Sequence, residues 1–357
     1  AGIYNRTLIG GLVHEARFSS RLRHVATVFG TRTDFRNPFI TNYEFRDESN
    51  VGVRTYIDYT AGQPGAVTWR INAGLEWQQG DADIRNYDNE KGIRGADQAS
   101  DILKSLQHFY FVRASTDICD RLTVEASFSL NYYGYRFRSL FPESESDFTQ
   151  RRFQPAWMPR VAISYLLTPQ LATRVSVSRG YSPPTIAEIR SSDNQINTAL
   201  TAETGWNREI GLRWRTRDHR AFLDASIYFY RMQDAIIRQL RESGAEYFSN
   251  AGAVRQVGTE AAGAVWVLDR RASGFLRALQ LAASATVNHF RFDTYRIGED
   301  DFTGNRLTGV PNTTVVSSVS AILPARLDAY FAHHYTSAVP LNDANTVYAD
   351  AYHLLQV

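Results

Sequence analysis

The chain has 357 residues, 43% of them hydrophobic, with a mean hydropathy of -0.34 and a formal net charge of +2. That length would house about two or three average soluble domains. The near-neutral charge argues against a nucleic-acid footprint, and the lack of any run of about 18 apolar residues excludes a helical membrane span. A single cysteine, Cys119, excludes a disulfide frame or thiolate metal site within the chain. A transmembrane barrel stays open, because only alternate residues of its strands must be apolar. Of the 39 basic residues only Lys91 and Lys104 are lysine. Arginine pairs bidentately with carboxylates and would suit a polar barrel wall or an anionic ligand, although a compositional bias of the source organism gives the same count.

Taken in chain order, the pattern is alternating segments joined by connections that are short, then long, then short. Residues 5–15 turn at 17–20 into 22–33, and a polar and aromatic loop is predicted over 34–48. Residues 51–59 place Val51, Val53, Ile57 and Tyr59 on one face; a Gly/Pro turn at 61–65 leads to 67–78, where Val67, Trp69, Ile71, Ala73, Leu75 and Trp77 alternate with polar partners. A charged loop is predicted over 80–100. The strand 108–117 turns at 118–120 into 121–132, whose Leu122, Val124, Ala126, Phe128, Leu130 and Tyr132 share one face. A loop over 139–154 precedes strands 160–166 and 172–178, and the longest loop covers 179–205. Strands 209–215 and 221–231, a loop at 239–252, strand 257–268, a turn at 269–274 and strand 276–290 follow. The series ends with a loop at 293–309, strands 313–323 and 327–335 about a turn at 324–326, a loop at 338–348, and a strand over 352–357.

This gives about fifteen strands of about 9 to 13 residues, the length a tilted strand needs to cross a bilayer. Bacterial outer-membrane barrels have short periplasmic turns and long external loops. The phase therefore predicts seven external loops, those containing Tyr43, Arg85, Phe141, Tyr181, Tyr247, Tyr295 and Asn342. A β-sandwich would use shorter strands, and a propeller would show a repeat of about 40 residues, which is not seen.

Catalytic signatures are missing: there is no H-E-x-x-H, P-loop, G-x-G-x-x-G or G-x-S-x-G. His333 and His334 are adjacent in a strand and must face opposite sides. The acidic groups Asp81, Asp83, Asp88 and Glu299, Asp300, Asp301 match no calcium-loop spacing and read as solvated. No enzyme activity, metal site or resident cofactor is expected.

The stretch over 178–212, SRGYSPPTIAEIRSSDNQINTALTAETGWNREIGL, stands apart. Arg179, Gly180, Tyr181 and Pro184, then Leu200, Glu203, Glu209, Ile210, Gly211 and Leu212, fall in order on a segment of TonB-dependent outer-membrane receptors, which the chain resembles. YFYRMQDAI, YFSNAG with GTE at 258–260, LTGVPNTT and PLNDANTVYADAYHLL continue the resemblance in family order. The resemblance implies a 22-stranded antiparallel transmembrane β-barrel, filled by a plug domain, that imports a scarce nutrient using energy from TonB, ExbB and ExbD. On that reading residues 1–357 are one partial barrel domain, truncated at both ends and without the plug. The residues themselves give Glu209 and Arg213, either side of Gly211 on the polar face, a place in a lumenal charge ladder.

Binding and transport without covalent chemistry is the expected function. Aromatic and basic side chains of the external loops are the candidate ligand contacts: Tyr43, Arg46, Arg85 and Phe141; Arg151, Arg152, Trp157 and Tyr181; Arg190, Arg238, Arg241 and Tyr247. The loop style favours a ferric siderophore or ferric citrate; cobalamin, haem or an oligosaccharide are alternatives, as is a passive porin or a structural barrel. Outer-membrane lipid and lipopolysaccharide are expected neighbours.

Overall fold

A computed structural model describes residues 2–142, 145–250, 252–269, 274–297 and 299–357. Fifteen strands form one antiparallel sheet in which each neighbours the next in sequence. They are β1 (Tyr4–Arg17), β2 (Leu22–Pro38), β3 (Tyr43–Gln63), β4 (Val67–Glu90), β5 (Ile93–Ile118), β6 (Leu122–Phe141), β7 (Ala156–Thr168) and β8 (Leu171–Ser182). They continue with β9 (Glu203–Arg215), β10 (Ala221–Gln233), β11 (Ala253–Leu268), β12 (Ala278–Thr294), β13 (Thr313–Ile322), β14 (Asp328–Thr336) and β15 (Tyr352–Gln356). A short strand, Thr149–Arg152, adds to the top of β6. No ladder joins β1 to β15 among the described residues, so the sheet has two free edges.

The expected strand count and order hold, and the seven expected loop positions fall at one end. The strand lengths do not match the expectation. Residues 34–48 and 80–100 are not loops: β2 and β3 run on to a connection at residues 39–42, and β4 and β5 meet at a tight turn in which Lys91 and Gly92 take positive φ. β5 reaches 26 residues.

The reason is an inversion of the alternation. In the lower part of β4, Val67, Trp69, Ile71, Ala73, Leu75 and Trp77 face outward while Thr68, Arg70, Asn72 and Glu76 face the lumen. Beyond Gly80 the same strand turns Asp81, Asp83 and Arg85 outward and Ala82, Ile84 and Asn86 inward. β6 does likewise: Leu122 to Tyr132 are apolar outward, whereas higher up Arg136 and Arg138 face out and Tyr133, Tyr135 and Phe137 face in. Below, lipid demands apolar outward residues; above, water lies outside and packed protein inside. Lumenal glycines accommodate large cross-strand neighbours. A Cβ on Gly258 would lie 2.3 Å from the Tyr228 ring, so the glycine gives that ring its place on the wall.

The turn expected at 269–274 lies mostly outside the described residues.

Candidate functional site

The mouth of the barrel is built where the tall β3–β6 wall meets the loop after β8. Pro183 and Pro184 end β8, since proline cannot extend the ladder. Thr185 then caps a single helical turn, Ile186–Ile189: its side chain accepts from the Glu188 N–H, and the Glu188 carboxylate accepts from the Thr185 N–H at 2.7 Å. That turn aims Ile189, fully buried, into a cluster of Ala82, Ile84, Leu103, Tyr133 and Tyr135 on the inverted face of the wall. Each large apolar side chain buried there contributes roughly 1.5–3 kcal/mol.

Arg190 follows and is also fully buried. Its Nε donates to Asp101 Oδ2 at 2.6 Å, Nη1 to the Ser191 carbonyl at 2.9 Å and to Asn194 Oδ1 at 3.2 Å, and Nη2 to Asn86 Oδ1 at 3.1 Å. Such a charge is tolerated only because it is paired and hydrogen-bonded. Asn42 donates to the Ser192 carbonyl at 2.8 Å, tying the β2–β3 turn to the same loop. Residues 183–202 are thus clamped onto the wall and roof part of the lumen.

On its other side the loop holds the hairpin Ile236–Leu240/Glu246–Asn250. The Glu246 N–H donates to Ser192 Oγ at 2.8 Å, and Asn197 Nδ2 donates to the Phe248 carbonyl at 2.7 Å. Arg241 grips Asp193 through Nε at 2.9 Å and Nη2 at 2.8 Å while its guanidinium lies 4.6 Å from the Tyr247 ring centroid. Arg238 pairs with Glu246 on the same hairpin. Arg238 and Arg241 stay half-exposed or more; Arg241 lies beside the Tyr247 ring, whereas Arg238, opposite Phe248 in the register, is on the other face of the hairpin. Tyr295 links it to later loops, accepting from Gln239 at 3.1 Å and donating to Asp343 at 3.1 Å. Burial, and then the Asp343 carboxylate, push the Tyr295 phenol up, so it stays protonated and able to donate.

Below the mouth, the lumenal wall carries paired charges. Arg23 meets Asp58 at 2.8 Å; Arg113 and Arg160 share Glu125. The ladder expected around Gly211 is present. Arg174 reaches Asp224 at 2.8 Å and Glu209 at 3.5 Å, and Arg213 also pairs with Asp224. A Cβ on Gly211 would lie 2.6 Å from Arg174 Cζ, so the glycine is the opening through which that guanidinium crosses. Towards β1 lies an open pocket of about 880 Å³ lined by Arg54, Arg70, Arg113, Tyr56 and Phe111. Arg70 has no ion-pair partner among the described residues.

The twelve candidates therefore separate. Arg241 and Tyr247 come together with Arg241 accessible, and Arg238, also accessible, is on the other face of the same hairpin, paired with Glu246. Arg46 faces the lumen but is neutralised by Glu44 and Glu48. Arg151 donates to the Leu200 carbonyl at 2.9 Å, which makes it a loop tether. Arg190 is a correction: burial with every donor group engaged removes it from any ligand surface. Arg85 is another, because the register turns it outward, where Asp83 pairs with it. Tyr43 sits on that outward face, 4.9 Å from Phe45. Arg152 and Trp157 also face outward, the latter edge-to-face with Trp206 at 6.1 Å. Phe141, at the end of β6, is 41% exposed. Tyr181, near the upper end of β8, has a buried phenol oxygen without a hydrogen-bond partner among the described residues. The lumenal arginines Arg54, Arg70 and Arg113 were missed as candidates, although each lies on the polar face of a legible strand.

A family model described as TonB dependent receptor-like, beta-barrel, matches residues 4–357. Among solved structures, the siderophore receptor PiuA from Acinetobacter baumannii superposes with a TM-score of 0.77 at 13% identity, covering 98% of this chain and 57% of that one. The ferric citrate transporter FecA gives 0.79 at 13%, covering 99% and 53%. The ferric yersiniabactin uptake receptor FyuA from Yersinia pestis gives 0.73 at 15%, covering 99% and 53%. The chain thus spans about half the length of the solved receptors it matches.

Proposed function

This chain belongs to the TonB-dependent receptor β-barrel family, and we propose that it forms the wall of an outer-membrane receptor that binds and imports a ferric chelate, energised by TonB with ExbB and ExbD. The observation that carries the reading is the accessible Arg241 beside Tyr247, standing above a lumen whose wall presents Arg54, Arg70 and Arg113. Guanidinium groups bind carboxylate or catecholate oxygens bidentately, and an aromatic ring covers a planar chelator. The anion would be captured at the hairpin and passed down a wall in which carboxylates already hold most arginines, so that no step is tight enough to trap it. Three solved structures of the same fold are named for siderophore, ferric citrate and ferric yersiniabactin uptake, which supports an iron chelate over cobalamin, haem or a sugar.

The test is a titration of the full-length protein, purified in detergent, with ferric citrate, ferric catecholate and ferric hydroxamate complexes, cobalamin, haem and oligosaccharides. Saturable binding of one iron complex, weakened when Arg241 is replaced, is the expected result. Binding of none of the iron complexes would sink the substrate assignment, and iron-limited growth that ignores deletion of the gene would sink the transport role.

A further inference from the structure

The accessible guanidinium of Arg241 is held by a turn that is itself locked to the wall. In residues 191–194 the Asn194 N–H donates to the Ser191 carbonyl at 3.2 Å, and Asn194 takes the positive φ that asparagine tolerates. Three side chains fasten this turn. The buried Arg190 donates to the Ser191 carbonyl and to Asn194 Oδ1, Asn42 donates to the Ser192 carbonyl, and Asn194 Nδ2 donates to Gln98 Oε1 at 3.0 Å. The turn presents Asp193, whose side chain is only 4% exposed.

The two oxygens of that carboxylate have separate jobs. Oδ1 accepts from Ser191 Oγ at 2.9 Å and from the Gln195 N–H at 3.1 Å, which closes the turn. Oδ2 accepts both bonds from Arg241, so it occupies the Nε–Nη2 edge of the guanidinium. The Tyr247 ring covers one face. Nη1 has no hydrogen-bond partner among the described residues, and the Arg241 side chain is half-exposed. A guanidinium is a rigid fork of five N–H donors. Pinning one edge and covering one face therefore leaves the Nη1–Nη2 edge open and fixed in direction. An incoming oxyanion can use that edge with Asp193 still in place. Evicting Asp193 would strand a nearly buried carboxylate without its cation, which is costly.

We propose that Asp193 is a positioning residue for ligand capture: it fixes Arg241 by the Nε–Nη2 edge so that the Nη1–Nη2 edge meets a planar oxyanion of the ligand. The contacts run from Asp101 and Asn86 on the wall through Arg190 to the 191–194 turn, and from Asp193 to Arg241. A buried arginine that touches no ligand thus sets the direction of one that does. A freely rotating arginine gives up its rotamer freedom when it binds; here folding has already removed it. The inference rests on the Arg241 contact proposed above and adds a residue that acts only through it.

The test is a double-mutant cycle on the full-length protein in detergent, titrated with ferric citrate, ferric catecholate and ferric hydroxamate complexes. Asp193→Asn keeps Oδ1 for Ser191 and Gln195 and puts an N–H donor where Oδ2 stood, so Arg241 loses its acceptor while the turn keeps its own bonds. It should weaken binding of the iron complex that wild type retains by about threefold to tenfold, and by no more than Arg241→Gln does. In the Arg241→Gln background the same substitution should change affinity by less than about twofold, because nothing is left to position. A loop that mattered only for folding would give the same loss in both backgrounds. Hydrogen exchange over residues 191–197 reports the turn; should Asp193→Asn loosen it, Asp193→Ser, whose hydroxyl can still accept from the Gln195 N–H, takes its place. Unchanged or tighter binding by the Asp193 variant, or an equal loss in both backgrounds, would overturn the proposal and leave the ferric-chelate reading standing. Wild-type protein that binds none of the iron complexes would overturn both.

Discussion

The two sides of the barrel mouth use long polar segments in opposite ways. On the β3–β6 side the chain stays extended past the membrane, ending in tight turns, and exposes an apolar inner face. On the β8–β12 side the strands stop sooner, and the intervening residues fold into a helical turn and small hairpins. Neither side is complete alone. The wall offers Ile84, Leu103 and Tyr133; the loop supplies Ile186, Ile189 and Ile196 to cover them. A polar segment between membrane strands is therefore a scaffold or a cover, and what decides is whether it keeps a period of two.

The sharpest way to break this pairing is at Arg190. Arg190→Met leaves Asp101 buried without its partner and should cost about 3–5 kcal/mol locally. Hydrogen exchange should then rise across residues 183–202 while the β4–β5 ladder stays protected; unchanged protection of the loop would show that the clamp is elsewhere. Next in size, Leu103→Ala on the inverted face should destabilise the folded barrel by about 2–5 kcal/mol in denaturant titration, whereas Asp83→Ala, one register step outward, should stay within about 0.5 kcal/mol. Equal effects would disprove the inversion. On the shorter side, Gly211→Val forces Arg174 from its crossing and should cost about 1–3 kcal/mol. Smallest is Arg241→Gln, expected to weaken binding of the ferric chelate about fivefold to tenfold, near 1–1.4 kcal/mol, while Arg85→Gln leaves it unchanged. A larger loss from Arg85→Gln would move the recognition surface to the outward face.

How far the sequence carried can be followed along particular residues. Leu122 to Tyr132 and Val67 to Trp77 were legible because lipid enforces one apolar face, and the strand order followed from alternating turns. Residues 80–90 were misread because Ala82 and Ile84 are apolar on the face that had been polar; a reader tracking one phase sees the pattern end. Arg190 was out of reach for another reason. Its carboxylate partner lies 89 residues away, and nothing local distinguishes a buried guanidinium from an exposed one. Arg241 and Tyr247 could be named from the sequence as separate loop candidates, but not as neighbours, and the anchor of Arg241, Asp193, is 48 residues distant.

The inversion at Gly80 also works as a depth gauge. From Val67 to Trp77 the outward apolar set of β4 spans ten steps. At about 3.3 Å per residue and a tilt of about 40°, that is roughly 25 Å of vertical height. Moving the inversion two residues along β4 and its neighbours would raise or sink the barrel by about 5 Å relative to its bilayer, at a cost of fractions of a kcal/mol per Å of mismatch. The point where the alternation changes sign is thus a coordinate along the membrane normal, written into the strand and open to deliberate adjustment.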